Sequence, residues 1–109
     1  MWDDNIKIKD GNLNIKELVY IKASDVYCEL YTIDGEKKIM RKTLTNFEDE
    51  LKKYGFIRVH KSYLVNMNFI KKIDKDFIDL GIAKVRVAVR KRKKVKEKYK
   101  EYCVINGRI

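Results

Sequence analysis

Nine consecutive residues, from Arg58 to Asn66, combine side chains that suit phosphates and base edges with an apolar anchor. In order they are Arg, Val, His, Lys, Ser, Tyr, Leu, Val and Asn, and they include the only histidine of the chain. Arginine grips a phosphate bidentately and lysine adds a mobile charge, while serine, histidine and asparagine donate to an oxygen or read a base edge. This stretch therefore predicts a contact with nucleic acid that is anchored by its own hydrophobic residues.

Several of these polar side chains have a structural alternative. Arg58 and His60 could tie the loop to backbone carbonyls, so that Lys61 and Ser62 point outward. Asn66 is predicted to form a turn, because asparagine bonds its own backbone and tolerates positive φ. The residues of the stretch that we expect in the core are Tyr63, Leu64 and Val65.

The sequence contains no recognisable catalytic or metal-binding motif. The one histidine forbids any site that needs two, and the five glycines are too dispersed for a phosphate-cradling loop. His60 and Ser62 stand two positions apart with no carboxylate placed to orient the ring, so they do not form a base and nucleophile. Cys28 and Cys103 have no paired spacing, which indicates reduced thiols and neither a disulfide nor a zinc site. We therefore expect a binding protein without cofactor, metal or enzymatic activity.

Positive charge is concentrated in the second half of the chain. The net charge is +10, with 26 Lys and Arg against 16 Asp and Glu. Residues 1–55 hold 10 basic and 11 acidic side chains, whereas residues 56–109 hold 16 and 5. Such asymmetry creates a directional potential that can orient a polyanion. The second half is therefore predicted to carry the binding face.

The length of the chain suits a single domain. Its 109 residues allow one small hydrophobic core, and we expect the domain to span residues 1–109. No run approaches the roughly 18 apolar residues of a membrane span, and no signal peptide opens the sequence. These features predict a soluble, cytoplasmic protein.

The first third of the chain has the pattern of a β-meander. Residues 18–22 and 25–33 are rich in β-branched and aromatic side chains with local alternation, which favours half-buried strands. Asp34 and Gly35 then separate the second run from residues 37–41. Asp-Gly between two such runs is a strong signal for a β-hairpin.

A central helix is predicted to begin at Thr45. Thr45 and Glu48 have the spacing of a capping box, and Gly55 is placed to end the helix in a left-handed conformation. Three apolar residues recur at helical spacing and would form the buried face, namely Phe47, Leu51 and Tyr54.

Further strands are predicted over residues 69–73, 77–80 and 84–89, with a turn at Gly81. A C-terminal helix then follows over residues 90–102, and its apolar stripe is too narrow for a helix that lies on a membrane surface. The last strand would place Val85, Val87 and Val89 on one face, and the helix would dock through Val95, Tyr99 and Tyr102.

The stretch from Arg58 to Asn66 resembles the signature of LytTR-type DNA-binding domains, the output modules of many bacterial response regulators in two-component systems. That signature is an Arg, one spacer, His, a basic or polar residue, Ser, an aromatic, two aliphatics and Asn, and this chain matches it in order. The flanks agree, since residues 18–23 and 27–32 resemble early strands of the family and Thr43-Leu44 fits the segment before its helix.

The resemblance implies a mainly β fold and a mode of DNA binding. The expected fold is an elongated β-β-β sandwich of about ten short antiparallel strands, with one short central helix and a C-terminal helix. Members of the family insert loops, and no recognition helix, into the major groove of double-stranded DNA. The chain is then expected to bind DNA in a sequence-specific manner and to regulate transcription, without chemistry on the DNA.

Three loops supply the contacts in this family, and their positions assign the DNA-binding residues. This chain departs from the family at Ala88-Val89, where Ser-Arg is common, so a hydroxyl contact there is lost or replaced. Asp25 in the first loop would repel phosphate unless it accepts from a cytosine amino group. The implied DNA-binding residues, with Arg58 included, are Ser24, Tyr27, Cys28, Arg58, His60, Lys61, Ser62, Arg90, Arg92 and Lys93.

The expected partner is double-stranded DNA with repeated half-sites. Two copies would then bind one operator, joined as a weak or DNA-dependent homodimer, and a receiver domain would precede Met1 in a longer parent protein. Two other functions stay open. A nonspecific binder of RNA or single strands would use Tyr20, Tyr27, Tyr31 and Phe77 as stacking platforms, although no RNP-like or GXXG signature is present. A module that binds an acidic protein would show no preference among duplex sequences.

Overall fold

The structure is a computed structural model that describes residues 5–8 and 11–108. This part of the chain forms ten short strands and two α-helices. This mainly β architecture confirms the predicted fold class. The strands are β1 (Asn5–Ile8), β2 (Gly11–Asn14), β3 (Leu18–Ser24), β4 (Tyr27–Thr32), β5 (Lys37–Met40), β6 (Phe56–His60), β7 (Tyr63–Asn66), β8 (Lys72–Ile73), β9 (Phe77–Asp79) and β10 (Lys84–Arg86), and the helices are α1 (Leu44–Leu51) and α2 (Arg92–Ile105).

The strands form three antiparallel sheets. The central sheet has five strands in the order β5-β4-β3-β7-β6, so the early meander and the hairpin of the nine-residue stretch lie in one sheet. A separate hairpin joins β1 to β2, and a third sheet has the order β10-β9-β8. The hairpin predicted at Asp34 and Gly35 is confirmed as the connection between β4 and β5, with Gly35 at a φ of +84°.

Two hydrophobic cores lie on opposite faces of the central sheet. The first core packs the β1–β2 hairpin and α1 against one face, where Ile21, Leu30 and Leu64 are fully buried. The second core packs the third sheet and α2 against the other face, where Val65 and Val95 are buried. Alternation along the strands feeds both cores, because successive side chains point to opposite faces. The hairpin of the nine-residue stretch is thereby anchored from both sides.

Helix α1 begins two residues earlier than predicted, so the assignment of its start to Thr45 is wrong. Thr43 is the N-cap, and its hydroxyl oxygen accepts a hydrogen bond from the backbone N–H of Asn46 at 3.1 Å. The earlier start places Leu44 on the buried face with Phe47, which favours it over a start at Thr45. Gly55 ends the segment at a φ of +87°, as predicted, after a 3-10 turn.

The segment after β7 forms a turn where a strand was predicted from residue 69. Asn66 accepts a hydrogen bond from the backbone N–H of Asn68 at 3.0 Å, which begins a 3-10 turn over Met67–Phe69. The predicted turn-forming role of Asn66 is confirmed, although its φ is −85° and therefore not positive. The amide of the same side chain donates to the carbonyl of Leu18 at 2.9 Å, so this buried polar group is satisfied.

The buried face of the last strand ends at Val87. Val85 and Val87 are buried, but Val89 is 73% exposed, so the prediction that it shares their face is wrong. The chain turns into a 3-10 segment over Val89–Lys91 before α2, and this ends the two-residue alternation. Helix α2 docks through the predicted stripe, in which Val95 is buried.

The described residues form a slab with principal extents of 36 × 33 × 24 Å. We expected an elongated body, and the difference arises because the third sheet and α2 stack on the central sheet and do not extend it end to end. Among the described residues, no helix is long and apolar enough to cross a membrane.

Candidate nucleic-acid interface

The turn between β6 and β7 presents Lys61 and Ser62 at one end of the central sheet. Arg58 pairs with Leu64, but His60 pairs with Tyr63, so one extra residue forms a bulge in β6. A bulge locally twists a strand and changes the direction of its side chains. It leaves Arg58 on the face that packs against α1 and His60 on the opposite face beside Tyr63.

Arg58 holds this turn from the side of α1. Its guanidinium donates to the carbonyls of His60 at 3.3 Å and Lys61 at 2.6 Å. It also donates to Thr45 and to Glu48, each at 3.2 Å. The carbonyl contacts considered for Arg58 from the sequence are therefore present, and the turn is fixed to the helix.

His60 lies within the turn as a neutral ring. Its Nδ1 accepts a hydrogen bond from the backbone N–H of Ser62 at 3.1 Å, and its ring packs at a tilt against Tyr63 at 5.5 Å. Burial lowers the pKa of His60, and the nearby charges of Lys61, Arg86 and Lys91 lower it further. Because Nδ1 is an acceptor, the ring proton sits on Nε2, which is a donor group for an oxygen or a base edge.

The turn between β3 and β4 lies beside the His60 turn. The backbone N–H of Ala23 donates to the carbonyl of Ser62 at 2.9 Å. Ser24 and Tyr27 pair across the turn and both are exposed. Asp25 adopts a φ of +58°, a conformation that aspartate tolerates better than most residues.

The segment before α2 is attached to the same hairpin. The backbone N–H of Ala88 donates to the carbonyl of Val59 at 2.8 Å, and the chain then turns toward the helix. This bond brings Arg90 to the same side of the molecule as Lys61. Together the two segments line one depression, whose residues are Arg58, His60, Lys61, Ala88, Arg90 and Lys91.

The depression has an excess of cations over acids. Burial lowers the pKa of Lys91, the nearby Glu48 opposes that shift, and Arg58 with neighbouring cations adds to it. Within residues 5–8 and 11–108, Lys61 and Arg90 pair with no acidic side chain. Unpaired cations close together are stabilised when a polyanion approaches. The surface is therefore complementary to phosphate.

His60 is engaged in the turn at this surface and is not arranged as a general base toward Ser62. His60 bonds to the backbone N–H of Ser62, so its base nitrogen is not directed at a nucleophilic hydroxyl. In the described part of the chain, no cluster of three or more His, Cys, Asp or Glu side chains could hold a metal ion.

Two of the residues assigned from the family positions are engaged within the protein, one in the core and one in a partly exposed ion pair. Cys28 is 1% exposed in the first core, and its buried thiol has a raised pKa, so it cannot reach a duplex and leaves the candidate set. Arg92 forms an ion pair with Asp76 in the turn between β8 and β9. That pair anchors the start of α2, and it leaves Arg92 less free than Lys93, which is exposed.

Sequence reasoning missed Arg86 and Lys91 as members of the charged surface. Both lie close enough to His60 to lower its pKa. Arg86 is exposed and lies over the ring of Phe77 at 5.2 Å. The alternation of Val85 and Val87 could have identified Arg86 as an outward residue. Lys91 stands in a run of cations, where no local pattern distinguishes it.

Comparison with known families identifies the family of the chain. Residues 11–100 match the sequence profile of the LytTr DNA-binding domain, a match that covers most of the chain. The protein therefore belongs to the LytTr family of DNA-binding domains, as the signature from Arg58 to Asn66 indicated.

Individual relatives give the same assignment. Over 66 residues the chain is 33% identical to an uncharacterized response regulatory protein from Vibrio cholerae serotype O1. Those residues are 58% of this chain and 25% of that protein, so the chain spans about a quarter of the relative's length. The fold is similar to the LytTr DNA-binding domain of a Bacillus cereus protein, with a TM-score of 0.74 and 24% identity over 86% of this chain and 93% of the other.

Proposed function

We propose that this domain binds double-stranded DNA in a sequence-specific manner and that it regulates transcription. In this proposal it inserts three turns into the major groove, namely the β3–β4 turn, the β6–β7 turn and the turn before α2. The observation that supports this most strongly is the shared depression lined by Lys61 and Arg90. Two cations from distant parts of the sequence meet there without acidic partners in the described chain. The major groove exposes the base pattern that such side chains can distinguish.

The side chains divide into two groups by their reach. Lys61 and Arg90 have the length to contact a base edge or a phosphate, and Arg90 can do so bidentately. Ser24, Ser62 and the Nε2 of His60 are shorter donors, which suit phosphates close to the turns. The further residues of the proposed contact surface are Tyr27, Arg86, Lys91 and Lys93.

Among the described residues, the helix beside this surface is α2, and the contacts at its start favour insertion by the turns. Helix α2 begins next to the depression, but Arg92 in its first turn is held by Asp76. The β6–β7 turn is instead held rigidly by Arg58 and by Ala23. Rigid turns lower the ordering cost of binding.

We further propose that the domain is the output module of a response regulator. The Vibrio cholerae relative is a response regulatory protein, and this chain covers about a quarter of it. In such a protein a receiver domain would control how two output domains meet on DNA. We propose binding to repeated half-sites as a weak or DNA-dependent homodimer, since two modest contacts in series reach high overall affinity through effective concentration.

Binding of single strands is less well supported by the geometry. Tyr20 and Tyr31, two of the proposed stacking platforms, stack on each other with ring centroids 4.5 Å apart and planes 5° apart. Their facing surfaces are therefore not available to bases. The guanidinium of Arg86 lies over the ring of Phe77, which stays 38% exposed.

Selection of bound duplexes from a random pool at two salt concentrations tests the proposal. We expect one enriched motif, with repeated spacing, whose recovery declines as salt rises because phosphate contacts release counterions. Single strands of the enriched sequence should compete poorly. An unenriched pool, or equal competition by single strands, would contradict the proposal.

A further inference from the structure

We infer that Arg58 is a positioning residue of the DNA interface and makes no DNA contact itself: its guanidinium fixes the turn that carries His60 and Lys61 and connects that turn to α1. The inference rests on the proposed function, because it assigns a role within that DNA-binding surface. It reverses the DNA-contacting role implied for Arg58 by its place in the family signature.

The number of hydrogen-bond donors limits what Arg58 can do. A guanidinium has five N–H donors in a rigid planar fork. Nε donates to the carbonyl of His60 at 3.3 Å, and Nη2 donates to that of Lys61 at 2.6 Å. Nη1 serves Thr45 and Glu48, both at 3.2 Å. One donor is left, so a bidentate grip on phosphate would break at least one of these hydrogen bonds.

The burial of Arg58 and the pairing of its charge also indicate that it makes no DNA contact. The side chain of Arg58 is 19% exposed, whereas Lys61 is an exposed residue. The positive charge of Arg58 is already paired with Glu48. A paired and mostly buried cation contributes little to counterion release, since it does not neutralise a phosphate.

The turn depends on this side chain for its conformation. Inside the turn, Ser62 bonds to the ring of His60 through its N–H and to Ala23 through its carbonyl. Arg58 binds the two remaining carbonyls of the turn, those of His60 and Lys61. Loss of the fork would free the carbonyls of His60 and Lys61, so that only the two hydrogen bonds of Ser62 would still hold the turn and the direction of the Lys61 side chain would be less fixed.

Lysine cannot replace this arrangement. Its ammonium group is a point charge with three donors on one atom, so it cannot reach two carbonyls and α1 together. Arg58→Lys keeps the charge and removes the fork. A double variant, Arg58→Gln with Glu48→Gln, removes the ion pair and keeps the net charge. Both variants therefore separate geometry from electrostatics.

The test measures the affinity of wild type and both variants for the selected duplex and a shuffled duplex across a series of salt concentrations. Lys61→Ala serves as the phosphate-contact control, and it should lower the slope of log affinity against log salt by about 1. For both Arg58 variants we expect about a tenfold loss for the selected duplex, a reduced preference over the shuffled duplex, and an unchanged slope. Retained affinity in Arg58→Lys, with a reduced slope in the double variant, would overturn the inference.

A measurement without DNA completes the test. The titration of His60, followed by NMR, should move toward the ordinary histidine pKa in Arg58→Lys, because a released turn exposes the ring. If Arg58 did not hold the turn, Arg58→Lys would leave the His60 titration unchanged, and that result would overturn the inference. If wild type itself prefers no duplex, the proposed function fails, whereas the His60 titration still decides the role of Arg58 in the turn.

Discussion

The backbone N–H of Ala88 donates a hydrogen bond of 2.8 Å to the carbonyl of Val59. This bond joins the segment before α2 to the β6–β7 hairpin. It brings the cation at Arg90 into the depression that Lys61 also lines. A matching bond from Ala23 to Ser62 attaches the β3–β4 hairpin. The three segments therefore form one surface, although the sequence separates them widely.

Removal of the Ala88 N–H should weaken both the fold and DNA binding. Ala88 has a φ of −63°, which proline can adopt, but the ring of Ala88→Pro would occupy the place of the donor hydrogen and push the segment away from the Val59 carbonyl. We expect a loss of more than about 1 kcal/mol in the free energy of unfolding, and a clear loss of affinity for the selected duplex because Arg90 is released. Ala88→Gly keeps the N–H and adds no side-chain donor, so it is the control. Denaturant unfolding and DNA titration measure the two effects, and equal affinity in both variants would contradict the role of this bond.

The side chains of Lys61 and Arg90 should each contribute directly to DNA affinity. Lys61→Ala and Arg90→Ala are expected to cost about 1 to 3 kcal/mol of binding free energy. Lys7 lies at an exposed position of β1, so Lys7→Ala is the control and should have little effect. Titration against the selected duplex at one salt concentration checks this, and unchanged affinity in either variant would remove that residue from the interface.

Asp25 offers a test in the opposite direction. Asp25→Asn keeps a residue that tolerates the observed φ of +58° and removes a negative charge next to the proposed interface. We expect tighter binding to every duplex, by roughly 0.5 to 1 kcal/mol, because one repulsion with phosphate is lost. If binding instead weakens for the selected duplex alone, Asp25 accepts from a base and the predicted repulsion is wrong.

The protonation of His60 should make the fold less stable in acid. Burial and neighbouring cations lower its pKa in the folded chain below the ordinary value of 6.5. The unfolded chain then binds a proton that the folded chain does not, so stability decreases as the pH falls below about 6.5 and through the folded pKa. We expect the melting temperature of wild type to decrease more between about pH 7 and pH 5 than that of His60→Gln. Parallel curves for the two proteins would show that His60 does not cause the acid sensitivity.

Two glycine substitutions separate backbone strain from steric contact. A Cβ at Gly55 would lie 3.0 Å from Cε1 of Tyr102, whereas a Cβ at Gly35 would meet nothing within 4 Å. Both glycines have positive φ, near +87° and +84°. Gly35→Ala should cost about 1 kcal/mol of unfolding free energy, and Gly55→Ala more, since Tyr102 must also shift. Denaturant unfolding measures both, and equal costs would show that Tyr102 moves freely.

The sequence was sufficient for features that depend on neighbouring residues. Alternation in β4 and the Asp-Gly signal predicted the hairpin to β5, and the apolar spacing of Val95, Tyr99 and Tyr102 predicted the docking of α2. The signature from Arg58 to Asn66 indicated the family, to which the chain belongs. Local patterns are reliable there because strand and helix periodicities act over a few residues.

Features that depend on distant residues could not be predicted in this way. Thr43 and Thr45 are equally good caps by type, and the packing of Leu44 against the first core decides between them. Arg92 and Lys93 are both cations in one run, but only Arg92 meets Asp76 of another turn. The outward position of Val89 follows from the 3-10 segment before α2. Tertiary contacts override local preference in each case.

NMR mapping of the domain with the selected duplex tests most directly whether the three turns form one DNA-binding surface. In one titration, DNA should change the NMR chemical shifts of the backbone amides of Ser24, Lys61, Ser62 and Arg90 together. The chemical shifts of the amides in β1, β2 and β5 should stay unchanged. Shifts confined to β1, β2 or β5, or shifts at Lys61 without any at Arg90, would contradict the account.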